Sequence, residues 1–157
     1  LVAETGKYRV RRVWLNGAAK TAKPDQADAS QSSHADASKS SSAEVFIDNL
    51  PGFPDGISSN GRDKFWLALV TPRQALFDRL LPHPFLRKVV YRLPKSLQPA
   101  PQRYSFVLGL DTQGRVIDNL QNGASDCYAQ IANVIEHNNS LYFGSIGEDT
   151  LGRFTLP

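Results

Sequence analysis

Glu44-Val-Phe-Ile-Asp-Asn-Leu-Pro-Gly-Phe-Pro-Asp-Gly-Ile57 decides how this chain is read. Val45 to Asp48 alternates as a strand, and the Pro- and Gly-rich residues after it read as a turn that presents one acidic side chain, Asp55. About 70 residues later the strand half returns as Arg115-Val-Ile-Asp-Asn-Leu120, a long-period self-similarity of the kind that marks repeat architectures. Each copy precedes an aromatic strand, Phe65-Trp-Leu-Ala-Leu-Val70 and then Leu141-Tyr-Phe-Gly-Ser-Ile146. A repeated strand–turn–strand unit predicts an all-β chain built as part of a β-propeller. In such a fold the chemistry belongs to loops and strand ends at the central channel, where Asp55 would lie.

The 157 residues are too few for a closed propeller, whose four-stranded blades take roughly 40 to 45 residues each. Two blades and part of a third fit. The chain is therefore expected to be a piece of a larger protein, or else to close its ring by association. Leu1-Val-Ala-Glu-Thr5, which reads as the end of a strand with no initiator Met, favours the piece. An open propeller exposes strand edges, so the chain expressed alone is expected to be inactive and poorly soluble or associated.

The net charge of +3 comes from scattered Lys and Arg, with Arg9, Arg11 and Arg12 the densest group. Arg9 and Arg11 share one face of an alternating segment, which reads as a solvated outer strand. Without a continuous basic stripe and interleaved exposed aromatics, no nucleic-acid partner is predicted. Cys127 stands alone, which excludes a disulfide within the chain and leaves the compartment open. No apolar run reaches membrane-spanning length and no signal peptide is visible. A membrane anchor or export signal is expected only in an amino-terminal part not represented here.

Tyr8 to Leu15 reads as a strand ending at Asn16-Gly17. The stretch 18–43, rich in Ala, Ser, Lys, Asp and Gln, has almost nothing to bury and reads as a disordered insertion, with His34 free in solvent. Ile57 to Val70 reads as strand, Asn60-Gly61 turn and strand. Arg73 to Leu81 shows helical spacing at Leu76, Phe77, Leu80 and Leu81. Phe85 to Tyr91 is read as a further helical turn. This short helical insertion would ride above the propeller face as a packing cap or a pocket lid; His83, between two prolines, has no assigned role. Tyr104 to Leu110, the Asp111-Thr-Gln-Gly114 turn and Arg115 to Leu120 form a hairpin. Tyr128 to Ile135, Leu141 to Ile146 and Leu151 to Leu156 complete the strands. Asn138-Asn139-Ser140 matches the glycosylation acceptor pattern but occupies a tight turn.

Asp55 is the best candidate for chemistry. At the start of an inner strand its carboxylate would face the channel, where an oxygen-liganded cation such as Ca²⁺ could bind. The local pattern by itself favours a plainer role, a hydrogen bond to its own turn before Gly56. Asp48-Asn49 and Asp118-Asn119 recur, which argues for architecture and against catalysis. Glu136 and His137 adjoin one another and read as a solvated, turn-facing pair. Glu4 reads either as a channel-facing acid or as an edge charge.

Several phrases together resemble the strictosidine synthase-like proteins, the family that includes the adipocyte plasma membrane-associated proteins. They are Val2-Ala-Glu-Thr5, Tyr8 to Gly17, Asp48 to Ile57, Phe65-Trp-Leu-Ala68, Pro84-Phe-Leu-Arg-Lys88, Glu136-His137, Leu141-Tyr-Phe-Gly-Ser145 and Leu151-Gly-Arg153, in family order. The resemblance covers nearly the whole chain outside the insertion. It implies a six-bladed propeller related to gluconolactonases and paraoxonases, of which residues 1–157 would be the carboxy-terminal half. Two chemistries follow from it. Authentic strictosidine synthases condense an amine with an aldehyde through a glutamate whose place falls here on Ala132, so that activity is not expected unless Asp126 substitutes. The lactonase and arylesterase relatives use channel Ca²⁺ against an ester or lactone, and Pro54-Asp55-Gly56 matches their ligand phrase, with Gly56 where the strictosidine synthase-like branch commonly has Asn. The resemblance thus implies a Ca²⁺-dependent hydrolase of small esters or lactones with Asp55 as a metal ligand. The alternative is a non-catalytic propeller that binds a partner or small molecule.

Overall fold

Alternating apolar residues between Gly-, Asn- and Asp-marked turns fold this chain into ten strands, all paired antiparallel, within the described residues. The computed structural model describes residues 1–14, 43–74 and 102–157, with helical backbone at Phe85, Lys88 and Arg92. The first sheet has the order β1 (Val2–Glu4), β2 (Arg9–Val13), β3 (Ala43–Ile47). The second runs β4 (Gly52–Ser59), β5 (Lys64–Pro72), β6 (Ser105–Asp111), β7 (Val116–Asn122). The third runs β8 (Ile131–His137), β9 (Ser140–Ser145), β10 (Gly152–Thr155).

The second sheet is buried on both faces, which explains why its central strands are continuous apolar runs. Leu67 and Leu69 of β5, with Phe106, Leu108 and Leu110 of β6, pack against Tyr8, Val10, Phe46 and Leu50 of the first sheet and its connections. The intervening Trp66, Ala68 and Val107 point the other way, onto Ile131, Val134, Leu141 and Phe143 of the third sheet. The period of two along β5 therefore divides one strand between two cores. Strand β4 touches both β1 and β8, so the leading strands of the three sheets gather together. This is the all-β architecture of part of a β-propeller, with β4 and β8 as inner strands.

The internal repeat is real at the level of strands: β3 and β7, which carry its two copies, are the last strands of their sheets. The shared Asp-Asn pair does not keep one role. Asn49 lies beyond β3 with φ 52°, and its N–H donates to Asp48 Oδ1 at 2.7 Å. Asp118 and Asn119 stay inside β7, where Asp118 ion-pairs with Lys64 Nζ at 2.8 Å.

Three expectations are corrected. The Pro-Gly-rich residues are not all turn: the bend ends at Pro51, and Gly52 to Gly56 belong to β4. Pro54 has no N–H to donate, and the β4–β5 register slips between Gly52 and Pro54 and again between Pro54 and Ile57. Arg9 and Arg11 do not lie on an outer strand, because β2 is flanked by β1 and β3; each alternates with a buried or half-buried valine. Ala43, assigned to the insertion, opens β3, while 18–42 lie outside the described residues. The helix expected over Arg73 to Leu81 falls mostly outside them too; Arg73 and Gln74 are not helical. Of the turn expected at Phe85 to Tyr91, the described Phe85 and Lys88 are helical, as is Arg92 beyond it.

Candidate functional site

The start of β4 is fixed from below by its entry turn. Leu50 N–H donates to the Tyr8 carbonyl and Arg73 N–H to the Pro51 carbonyl, both at 2.9 Å. Arg73 Nη1 reaches Asn49 Oδ1 at 2.6 Å and its guanidinium stacks 4.0 Å above the Tyr8 ring. The Tyr8 ring packs in turn on Phe53 of β4, centroids 4.7 Å apart. Tyr8 takes the left-handed conformation, φ 52°, to turn the chain from a 3-10 segment into β2.

Asp55 follows on this anchored strand. Its side chain is exposed and makes no hydrogen bond or ion pair with another described residue. The expected bond to its own turn is not formed. Beside it, Gly56 lies against β8: a Cβ there would clash with Asn133 Oδ1 and would sit 2.5 Å from the Ala132 carbonyl oxygen. The β8–β9 register slips at this point, between Ile131 and Asn133. Two irregular inner strands thus face one another where oxygen atoms converge. Bulges of this kind redirect side chains and are frequent beside functional sites. Farther along, Ser58 Oγ donates to the Val134 carbonyl at 2.6 Å and holds the strands together.

The donor set has a definite chemical character. Among the described residues no three His, Cys, Asp or Glu side chains gather as a metal group. The convergence at Gly56 offers an amide oxygen and a main-chain carbonyl oxygen next to a carboxylate-bearing residue. Such ligands suit a hard cation, whose sites mix carboxylate, amide and carbonyl oxygens, and do not suit zinc. A calcium ion takes six to eight oxygens, and Asp55 is the carboxylate that β4 carries at this point.

The other candidates fall elsewhere. Glu4, on β1, accepts from Arg9 Nε and lies 3.7 Å from Lys7 Nζ. That Arg9 hydrogen bond, and the attraction of the neighbouring cations, hold its carboxyl below the usual range despite partial burial. Glu136 is not the solvated acid expected. Its Oε2 accepts the indole N–H of fully buried Trp66 at 2.5 Å, while His137 is exposed. Sequence reasoning missed this bond, although both residues sit in the phrases that carried the resemblance. Asp126 is exposed in the turn before buried Cys127. Asn138 and Asn139, at φ 45° and 56°, form the hairpin tip, and Ser140 is buried. A separate groove of about 510 Å³ lies between β6–β7 and the third sheet, lined among others by Asn119, Gln121, Tyr128, Phe143, Arg153 and Phe154. It holds no carboxylate.

No family model matches the chain. Individual relatives do. The adipocyte plasma membrane-associated protein of Bos taurus is 28% identical over 99% of this chain and 34% of its own length. Protein strictosidine synthase-like 10 of Arabidopsis thaliana is 29% identical over 99% of the chain and 38% of its own length. Strictosidine synthase-like 4 of Arabidopsis thaliana is 30% identical over 72% of the chain and 30% of its own length. The chain belongs to the strictosidine synthase-like family. It spans about a third of the length of these relatives. Within that family frame Gly56 gains a local explanation, since the position has no room for a side chain while Asn133 stands where it does. Ala132, at the place the resemblance gives to the condensing glutamate, is buried and carries no ionisable group.

Proposed function

We propose that the complete protein is a Ca²⁺-dependent hydrolase of small esters or lactones and not an authentic strictosidine synthase. The observation that carries this reading is the Asp55 carboxylate, exposed and unpartnered among the described residues on inner strand β4, beside a convergence of neutral oxygens. Asp55 would hold the ion. When bound, Ca²⁺ supplies Lewis-acid polarisation of the acyl carbonyl. The chain's own part is positioning: the Tyr8–Phe53–Arg73 packing and the Ser58–Val134 hydrogen bond fix the strand that bears the carboxylate. Against amine–aldehyde condensation stands Ala132, whose methyl group cannot transfer a proton.

The test is turnover of phenyl acetate and of γ-butyrolactone by the full-length protein, with Ca²⁺ and with chelator. Turnover that needs Ca²⁺ and disappears in Asp55→Ala supports the hydrolase. Calcium-dependent turnover that Asp55→Ala leaves unchanged removes Asp55 from the site. The groove between the second and third sheets favours a second reading, a non-catalytic propeller that holds a small molecule or partner. Background hydrolysis under both conditions would turn the assignment to that reading. Formation of strictosidine from tryptamine and secologanin would overturn the exclusion of the synthase.

A further inference from the structure

The groove between β6–β7 and the third sheet is lined by one cation and no carboxylate. That cation, Arg153 of β10, forms no ion pair among the described residues, and its hydrogen bond there runs from Nη2 to Ser140 Oγ at 3.3 Å. The amide oxygens of the groove already accept bonds. Asn122 Oδ1 takes the Ala124 N–H at 2.9 Å, Gln121 Oε1 takes the Tyr104 hydroxyl at 2.7 Å, and Asn119 Oδ1 takes Gln121 Nε2 at 2.6 Å. The hydroxyl hydrogens of Ser105 and Tyr128 go to main-chain carbonyls, those of Tyr128 and Thr150. The donors left without an acceptor among the described residues are the Asn119 and Asn122 amide nitrogens and the rest of the Arg153 guanidinium. Donors around an uncompensated guanidinium suit an anion, and the planar fork of arginine matches a carboxylate in particular. Beside them stand the Tyr128 and Phe143 rings, centroids 6.3 Å apart, and the exposed Phe154. The volume of about 510 Å³ lies within the range of small-molecule sites. From this we infer that the groove binds a small organic carboxylate, its charge on Arg153 and its apolar body against the aromatic side chains. The site is separate from Asp55, whose strand β4 contributes nothing to the groove lining. The inference gives the groove a ligand class and holds whether or not the protein is a hydrolase.

Phenylacetate is the probe, and phenylacetamide, which keeps the ring and loses the charge, is its control. Both are titrated into the full-length protein with chelator present and followed by ligand-observed NMR, with thermal melting as a check on folding. The expected result is saturable phenylacetate binding, with phenylacetamide on the wild type and phenylacetate on Arg153→Met each at least about tenfold weaker. Asn122→Asp is the second variant, because its carboxylate can still accept the Ala124 N–H while placing a negative charge in the groove. It should weaken phenylacetate as much and phenylacetamide little. Should Arg153→Met melt early, Asn122→Asp decides the matter. No saturable binding, equal affinities for the two probes, or phenylacetate affinity unchanged in both variants would overturn the inference. So would binding that is lost in Asp55→Ala and kept in Arg153→Met, which would put the anion at β4 instead. Calcium-dependent turnover that persists through any of these failures leaves the hydrolase reading standing, and groove binding in a protein without turnover leaves this inference standing alone.

Discussion

Trp66 is fully buried, yet its indole N–H must find an acceptor, and Glu136 supplies one at 2.5 Å from the neighbouring sheet. The same ring is covered by Lys64 Nζ, 5.0 Å from the centroid, and that ammonium is held 2.8 Å from Asp118 Oδ2. Glu136 and Lys64 thus both engage one aromatic side chain, and Glu136 acts as architecture instead of as half of an acid–base pair. Removing the acceptor leaves a buried donor unsatisfied, which costs about 1 to 3 kcal/mol. Glu136→Leu is therefore expected to lower stability by that amount in urea unfolding, with Glu136→Gln, which retains a carbonyl oxygen, closer to wild type. Equal midpoints for Glu136→Leu and wild type would show that the indole contributes nothing through this bond. The partners are 70 residues apart and on different sheets, so no local pattern in the sequence could pair them. Asp55 is the opposite case: its Pro-Asp-Gly setting singled it out, while the clash that excludes a side chain at Gly56 became visible only with β8 beside it.

The turns carry the strand order, and two of their glycines are set apart by what surrounds them. Gly61 and Gly114 have φ 74° and 85°, a region that costs other residues about 1 to 2 kcal/mol. A Cβ at Gly61 meets open space, whereas one at Gly114 collides with the Phe46 carbonyl of β3. Gly61→Ala is expected to cost about 1 kcal/mol and Gly114→Ala at least about twice that, in chemical unfolding; equal losses would mean that the second turn yields to the first sheet. At the head of the Gly114 turn, Asp111 Oδ1 accepts the N–H groups of Gln113 and Arg115, both at 2.9 Å. Burial opposes its charge, but the Arg115 and Gln113 hydrogen bonds and the Arg115 charge outweigh burial and hold the carboxyl below its usual range. A depressed folded value means that this contribution is present above the unfolded carboxylate value near pH 4 and is lost as pH falls through the folded one. Asp111→Asn should flatten the decline of melting temperature on acidification; an unchanged slope would exclude this turn as a source. The hairpins were legible in the sequence because Asn60-Gly61 and Asp111-Thr-Gln-Gly114 act through neighbours. The Pro-Gly stretch before Asp55 was misread because the same residue types serve an irregular strand edge as well as a turn.

At the scale of the whole molecule, the stacking of three sheets leaves outer strands with one partner each among the described residues: there β3 pairs only with β2, β7 with β6 and β10 with β9. Each carries an exposed large apolar side chain, Val45, Val116 with Ile117, and Phe154, at 42 to 51% exposure. Unpaired N–H and C=O groups beside apolar side chains are templates for pairing with another chain. The groove beside β7 and β10 adds a concave surface of mixed polarity at two of these strands. The 157-residue chain in isolation is accordingly expected to sediment as a concentration-dependent oligomer. Placing a lysine at Val45, Val116 and Phe154 should shift it toward monomer, because a charged edge side chain resists strand addition without disturbing the two cores. The two cores lie on opposite faces of the second sheet and include none of these three residues, so the substituted chain should keep its melting transition while losing its association. A wild-type chain that is monomeric across the concentration range and melts cooperatively would mean that these edges are covered within the chain itself, and the gathering of β1, β4 and β8 would then be stable without the remainder of a ring.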